Sequence, residues 1–118
     1  MTPTFELPPF HLAIPVDDIA AARRFYGELL QCPEGRSAEH WIDFDFFGHQ
    51  LVVHRVEPST AGRAPTNPVD GDAVPVPHFG AVLTMRQWEA LALRLRGHGV
   101  EFVIAPRIRF QKQMRPEK

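Results

Sequence analysis

The chain has 118 residues, of which 44% are hydrophobic and 23% are charged, and its formal net charge is -1. This composition is typical of one soluble globular domain. It argues against a general nucleic-acid binder and against a membrane protein, because no apolar run approaches ~20 residues. Since Cys32 is the only cysteine and the N-terminus lacks the features of a secretion signal, we expect a cytoplasmic protein.

The first elements in chain order are a strand and a helix. Residues 10–16 form a short apolar run that predicts a strand, and Asp17 or Asp18 can cap the helix that follows. Pro33 and Gly35 are expected to end this helix. Its apolar residues recur at helical spacing and are Ile19, Ala22, Phe25, Tyr26, Leu29 and Leu30.

A hairpin and a connecting segment come next. Residues 40–47 alternate between apolar and polar side chains, Gly48-His49 predicts a turn, and residues 50–56 return as a second strand. Residues 57–75 contain four prolines and two glycines, and we interpret them as a linker or a mobile loop.

A second strand-and-helix pattern starts at His78. Residues 78–83 predict a strand, and Thr84 and Gln87 form a capping box for the next helix. Residues 100–104 predict a further strand. The buried stripe of this second helix is expected to contain Trp88, Leu91 and Leu95.

A histidine heads each copy of this pattern, His11 in the first and His78 in the second, and a helix-start signal follows six residues after each. A duplication that repeats a metal-binding residue type suggests a site between the two copies. Because side chains alternate along a strand, we expect Gln50 and His54 on the same open face of the sheet as the histidines. Two imidazoles and an oxygen donor make a reasonable partial shell for a divalent metal.

Each of these residues also has a simpler interpretation. A single strand histidine is more often an ordinary hydrogen-bonded residue than a ligand, and Gln50 alone is more often a solvated polar side chain. The pattern leaves His54 open as a ligand, a pocket residue or neither. Asp43 belongs to the wet face of its strand and Tyr26 belongs first to the helix core. Both are retained as candidate pocket residues.

Five stretches of the chain carry a family resemblance, and they are residues 9–18, 22–30, 41–44, 48–54 and 76–80. Together they resemble the vicinal oxygen chelate superfamily, which includes glyoxalase I, extradiol dioxygenases, and fosfomycin- and bleomycin-resistance proteins. The helix pattern around Phe25 and Tyr26 is fairly specific, whereas the histidine positions are specific in combination. The resemblance covers roughly residues 8–110.

The resemblance implies an α+β fold of paired βαβββ modules that form a curved mixed sheet with helices on the outside. We expect a single domain over residues 1–118, with about six strands rather than eight because the second module is incomplete. Its expected parts are module one at about 8–57, a linker at about 58–75, a partial module two at about 76–110 and a tail at 111–118.

The resemblance also implies a metal shell. It makes His11 the first-strand ligand and His78 the fifth-strand ligand. It places Gln50 where glyoxalase-like members often have a glutamate or glutamine ligand, whereas dioxygenase-like members use no ligand at that position. The implied cofactor is a divalent metal, with Fe, Mn, Zn and Ni left open, or no metal if the shell is incomplete.

The last ligand of the family is a carboxylate from a final strand, and the sequence contains no such strand pattern. The expected glutamate would lie past residue 118, and Glu117 is not a convincing replacement at a frayed end. We therefore expect a chain truncated before its last strands. The sheet edge left unpaired invites association, and we expect a homodimer.

Two functions are consistent with these features. The first is a metal-dependent enzyme of the glyoxalase or extradiol dioxygenase type, which acts on a small molecule through vicinal oxygens and is inactive if the last ligand strand is missing. The alternative is a metal-free protein of the bleomycin-resistance type that binds or sequesters a small molecule. Neither function involves nucleic acid or a membrane, and whether the chain is an enzyme is left open.

Overall fold

The computed structural model describes residues 7–58 and 65–108. The chain divides into two compact units, Met1–Thr60 and Ala61–Lys118. Residues 109–110 of the expected second module and the tail at 111–118, including Glu117, lie outside the described residues. None of the helices in the described ranges is long and apolar enough to cross a membrane.

The first unit contains one βαβββ module. Its sheet has the strand order β1-β4-β3-β2, in which β1 pairs with β4 in parallel and the other neighbours are antiparallel. This mixed sheet confirms the expected α+β class. The elements in chain order are β1 (His11–Val16), α1 (Ile19–Ala22), a π-helix (Arg23–Leu29), β2 (Glu34–Ala38), β3 (Trp41–Phe46) and β4 (His49–Arg55).

The two faces of this sheet differ as the alternation predicts, with one exception: Val52, which alternation places on the face of Gln50 and His54, is also buried. Along β1, exposed and half-buried residues alternate, with His11 exposed and Leu12 turned inward. Ile42, Phe44 and Val53 are almost fully buried and pack with residues of the helix. Apolar burial therefore holds the helix on one face, and the other face carries the polar side chains.

The first helix starts at Asp18, one of the two predicted caps, and continues as a π-helix. Asp18 Oδ1 accepts from the Ala21 amide at 3.0 Å, which satisfies one of the free N–H groups of the first turn. At the other end, the Leu30 amide donates to the Phe25 carbonyl five residues earlier, at 2.9 Å. The helix ends before the expected Pro33, because Gln31 adopts a left-handed φ of 60°.

The hairpin between β3 and β4 turns one residue earlier than predicted. Phe47 and Gly48 have φ values of 52° and 89°, and Asp45 Oδ1 accepts from the Gly48 amide at 2.8 Å. The β2 strand was missed by the sequence analysis. It is short and exposed along its whole length, so it lacks the apolar alternation that identifies a strand.

The first described element of the second unit is a hairpin inside the segment that we interpreted as a linker or mobile loop. Strand β5 (Thr66–Val69) pairs antiparallel with β6 (Asp72–Pro75). Asp70 and Gly71 connect them with φ values of 51° and 84°. Asp-Gly is a strong signal for such a turn, but the four prolines of the segment led us to interpret it as a linker or loop.

The second helix, α2 (Met85–Gly97), has the predicted start. Thr84 Oγ1 accepts from the Gln87 amide at 3.2 Å, and Gln87 Oε1 accepts from the Thr84 amide at 2.9 Å. These two hydrogen bonds form the capping box. The predicted stripe of Trp88, Leu91 and Leu95 is half-buried around the buried Ala92.

Two predicted strands of this unit are wrong. Residues 78–83 and 100–104 have no strand pairing among the described residues, and Val82 and Val103 have exposed fractions of 102% and 85%. An apolar run forms a strand only where another strand pairs with its backbone groups. Six described strands agree with the expected number, but β2, β5 and β6 are not among those predicted.

Candidate functional site

The polar face of the first unit brings together His11, Gln50 and Asp43. His11 on β1 is the direct register partner of Gln50 on β4, and Asp43 lies on the adjacent β3. His11 and Gln50 are exposed and Asp43 is half-buried. Three neighbouring strands thus place an imidazole, an amide and a carboxylate side by side, as strand parity predicts for the first two.

A chain of two hydrogen bonds connects these side chains. Gln50 Nε2 donates to Asp43 Oδ2 at 3.3 Å, and His11 Nδ1 lies 2.9 Å from Gln50 Oε1. An ionised carboxylate only accepts hydrogen bonds, which requires the amide nitrogen of Gln50 to face Asp43. Its oxygen then faces His11, whose Nδ1 is the donor. In the neutral ring, the lone pair is therefore on Nε2.

His78 is held in the same way by a backbone group. Its Nδ1 lies 2.7 Å from the carbonyl oxygen of Pro75, which can only accept, so Nδ1 donates and Nε2 carries the lone pair. His49 shows the opposite arrangement, because its Nδ1 accepts from the Phe10 amide at 2.8 Å. The two histidines expected to bind metal thus share a tautomer that His49 does not adopt.

His11 and His78 belong to different compact units, and their sharing of one metal ion stays a prediction. Within residues 7–58 and 65–108, no group of three or more His, Cys, Asp or Glu side chains is arranged to hold a metal ion. The two imidazole nitrogens are therefore the donors on which a metal hypothesis depends.

A cavity of about 410 Å³ adjoins Gln50 and Asp43. Sequence reasoning missed Glu34 on its wall because β2 was not predicted. Arg23 Nε contacts Glu34 Oε1 at 2.9 Å, and this hydrogen bond lowers the pKa of the carboxyl group. The other polar or turn residues of the wall include Gly35, Asp45, Gly48 and His49.

Tyr26 lies in the core, as its helix position predicts. Its ring centroid lies 5.0 Å from that of Phe25 and 5.6 Å from that of Phe44, and burial raises the pKa of its phenol. Tyr26 also lines a second cavity, of about 590 Å³, together with Val16 and Val56. It is therefore both a core residue and a wall residue, but not of the cavity beside Gln50.

His54 lies towards the other end of β4 from Gln50. It is exposed and pairs in register with Pro15 on one side and with Trp41 on the other. Cys32 has an exposed fraction of 4% and belongs to the core cluster, which agrees with its interpretation as a small buried residue.

The sequence model of the Glyoxalase/Bleomycin resistance protein/Dioxygenase superfamily matches residues 9–115. Together with the βαβββ module, this match shows that the chain belongs to that superfamily. No protein with a curated function matches the chain.

Two solved structures have a similar fold. A glyoxalase/bleomycin resistance protein/dioxygenase from Alicyclobacillus acidocaldarius is 28% identical, with a TM-score of 0.61, and the match covers 87% of this chain and 72% of the other. A genomically encoded fosfomycin resistance protein from Listeria monocytogenes is 18% identical, with a TM-score of 0.60 and coverage of 94% and 78%. At this identity, the second similarity concerns the fold alone.

Proposed function

We propose that this protein binds one divalent metal ion through His11 and His78 and acts on a small molecule through two vicinal oxygens. One observation carries the proposal: both histidines donate from Nδ1 to a fixed acceptor and keep the Nε2 lone pair. Metal-binding histidines almost always donate their other ring N–H to a carboxylate, a carbonyl or water. Membership of the superfamily supports the same function.

The donor set suits a borderline metal such as Zn, Fe, Mn or Ni, because each accepts imidazole nitrogen. Both histidines are exposed, so a bound ion would remain accessible to water or substrate oxygens. When bound, the metal would supply Lewis-acid stabilisation of negative charge on the substrate oxygens. Gln50 and the carbonyl of Pro75 hold the two imidazole rings in place, and the cavity beside Gln50 is where we place the substrate.

The second candidate function is metal-free binding of a small molecule. The cavity of about 590 Å³ favours it, because its wall combines the aromatic rings of Phe25 and Tyr26 with Val16 and Val56. Asp17, Asp18 and Glu57 add carboxyl groups to this wall, and concave sites that combine apolar walls with a few polar groups are typical of small-molecule binding. Such a protein would sequester its ligand without chemistry at the histidines.

The homodimer and the cytoplasmic location are further parts of the proposal. Strands β1 and β2 end the described four-stranded sheet, and terminal strands carry backbone groups able to pair with another chain. Sedimentation equilibrium at micromolar concentrations would show a dimer if a second copy pairs in this way, and a monomer would exclude it.

Titration of the purified protein with Mn²⁺, Zn²⁺, Ni²⁺ and anaerobic Fe²⁺ tests the metal function. We expect stoichiometric binding of at least one of these ions, and its loss in His11→Ala and in His78→Ala. His40→Ala is the matched control, because this exposed histidine pairs with Glu39 in a turn. Unchanged binding in either of the first two variants would contradict the proposed ligands.

His11→Ala and one additional variant, Phe25→Ala, separate the two functions. A metal-free binder would take up no ion, and its ligand affinity would be insensitive to His11→Ala but would fall in Phe25→Ala, which removes an aromatic wall of the second cavity. Uptake of a metal ion, with a ligand affinity that falls in His11→Ala and is insensitive to Phe25→Ala, supports the metal-dependent function.

A further inference from the structure

We infer that Asp43 and Gln50 are positioning residues, which act through His11 by holding its imidazole in the tautomer with the proton on Nδ1. This inference rests on the proposed function, because its purpose is to present the Nε2 lone pair to a metal ion. It assigns Gln50 a role different from that of a metal ligand, and it gives Asp43 a role beyond lining a pocket.

The three residues are fixed by strand pairing. His11 and Gln50 are direct partners in the parallel pair of β1 and β4. Asp43 opposes Val52 in the antiparallel pair of β3 and β4, which places it diagonal to Gln50. Groups on neighbouring strands hold their relative positions better than groups on loops. The hydrogen-bonded chain therefore needs little ordering of the backbone when a ligand arrives.

The direction of the chain is set at Asp43. An ionised carboxylate accepts and an amide can face either way, so Asp43 decides which end of Gln50 points to His11. Without Asp43, the Gln50 amide could rotate and donate to Nδ1, which would move the proton of the neutral ring to Nε2. Binding a metal at Nε2 would then require a change of tautomer first. The negative charge of Asp43 thus acts on His11 from two hydrogen bonds away.

If Gln50 were a metal ligand, its Oε1 would need a different partner. As a metal ligand, Gln50 would have to direct Oε1 at the ion, whereas this oxygen lies 2.9 Å from His11 Nδ1. Replacing Asp43 would then have little effect on His11. The tautomer of His11 and the effect of Asp43 on metal affinity therefore distinguish a positioning residue from a ligand.

The first readout needs no metal. Long-range ¹H–¹⁵N correlation spectra of the metal-free protein, recorded for the neutral ring, report which ring nitrogen of His11 carries the proton. We expect Nδ1 in the wild type and a shift towards Nε2 in both Gln50→Leu and Asp43→Asn. His11 protonated on Nε2 in the wild type, or a tautomer that is the same in all three proteins, would overturn the inference.

The second readout is the affinity for Zn²⁺ alone, measured by calorimetry. Loss of an outer partner of a metal-bound histidine weakens metal affinity about 10- to 100-fold, and we expect a change in this range for Asp43→Asn. Asp45→Asn is the matched control. Asp45 carries the same charge and directly opposes Gln50 in register, but its Oδ1 accepts from the Gly48 amide instead.

An equal loss of affinity in Asp43→Asn and Asp45→Asn would overturn the inference, because it would show that Asp43 acts only through its negative charge and not through its hydrogen bond to Gln50. If Gln50→Leu abolishes Zn²⁺ binding and Asp43→Asn leaves it unchanged, Gln50 is a metal ligand and the inference is overturned. If the wild type binds no Zn²⁺ or any other ion, the proposed function fails. The tautomer spectra then still decide whether Asp43 and Gln50 orient His11.

Discussion

Gly27 in the π-helix is a position where a larger residue should stabilise the protein. It lies within Arg23–Leu29 and does not adopt a left-handed φ. A Cβ added there would lie 3.6 Å from Phe44 Cε1 and 3.9 Å from Arg23 Cγ, which are ordinary van der Waals distances. Gly27→Ala therefore requires no movement of the core.

The expected gain comes mainly from the unfolded chain. Glycine loses more backbone freedom than alanine when it enters a helix, and the difference is about 0.5–1 kcal/mol in the free energy of unfolding. For a chain of this length, such a gain corresponds to a rise of roughly 2–5 °C in Tm. The new methyl group adds contact with Phe44 and acts in the same direction.

Gly48→Ala is the matched control with the opposite sign. Gly48 has open space where the methyl group of an alanine would lie, but its φ is 89°, a conformation that costs an alanine about 1–2 kcal/mol. Urea unfolding of the wild type and both variants measures the difference. We expect the midpoint to rise for Gly27→Ala and to fall for Gly48→Ala, with the same dependence on urea concentration.

A lower midpoint for Gly27→Ala would refute the reasoning. It would mean that the wide turn of the π-helix depends on glycine itself, and that the contact between the helix and Phe44 has no room for one methyl group.

Two further predictions concern the first helix and its core. Asp18→Ala should lower the free energy of unfolding by about 1 kcal/mol, because the Ala21 amide loses its cap. The control Asp17→Ala should change this free energy little. Equal urea midpoints for the two variants would contradict this prediction. Burial raises the pKa of the Tyr26 phenol above its ordinary value of 10.0, so the unfolded chain releases that proton first and stability should fall as the pH rises through the raised pKa. Burial also raises the pKa of the Cys32 thiol, which acts in the same direction. Tyr26→Phe should therefore reduce the loss of stability at alkaline pH without abolishing it, as measured by urea midpoints across the alkaline range. An unchanged loss would exclude Tyr26 as a source.

The sequence alone determined the features that depend on neighbouring residues. The capping box of Thr84 and Gln87 was predictable and the first cap was predictable to within Asp17 or Asp18, because each cap is a contact over three residues. The buried face of the first-unit strands was also predictable, because alternation along a strand does not depend on its partner. Family membership followed from such local patterns along most of the chain.

Tertiary structure decided which runs became strands. Residues 78–83 have the composition of a strand but form no strand pair within the described parts of the chain, whereas Glu34–Ala38 has little apolar character and forms a strand because it pairs with β3. Pairing with a second strand supplies the hydrogen bonds that a strand needs, whatever its own composition. A local pattern contains no information about whether such a partner is present.

The candidate site shows the same division. Residue parity placed His11 and Gln50 on one face, but it could not show that the Gln50 oxygen meets His11 while its nitrogen meets Asp43. That arrangement depends on the register of three strands, of which β1 lies 39 residues from its contact in β4, and a shift of one residue would turn each side chain to the other face. The hydrogen-bonded chain that orients His11 is therefore a property of the folded sheet, not of any one segment.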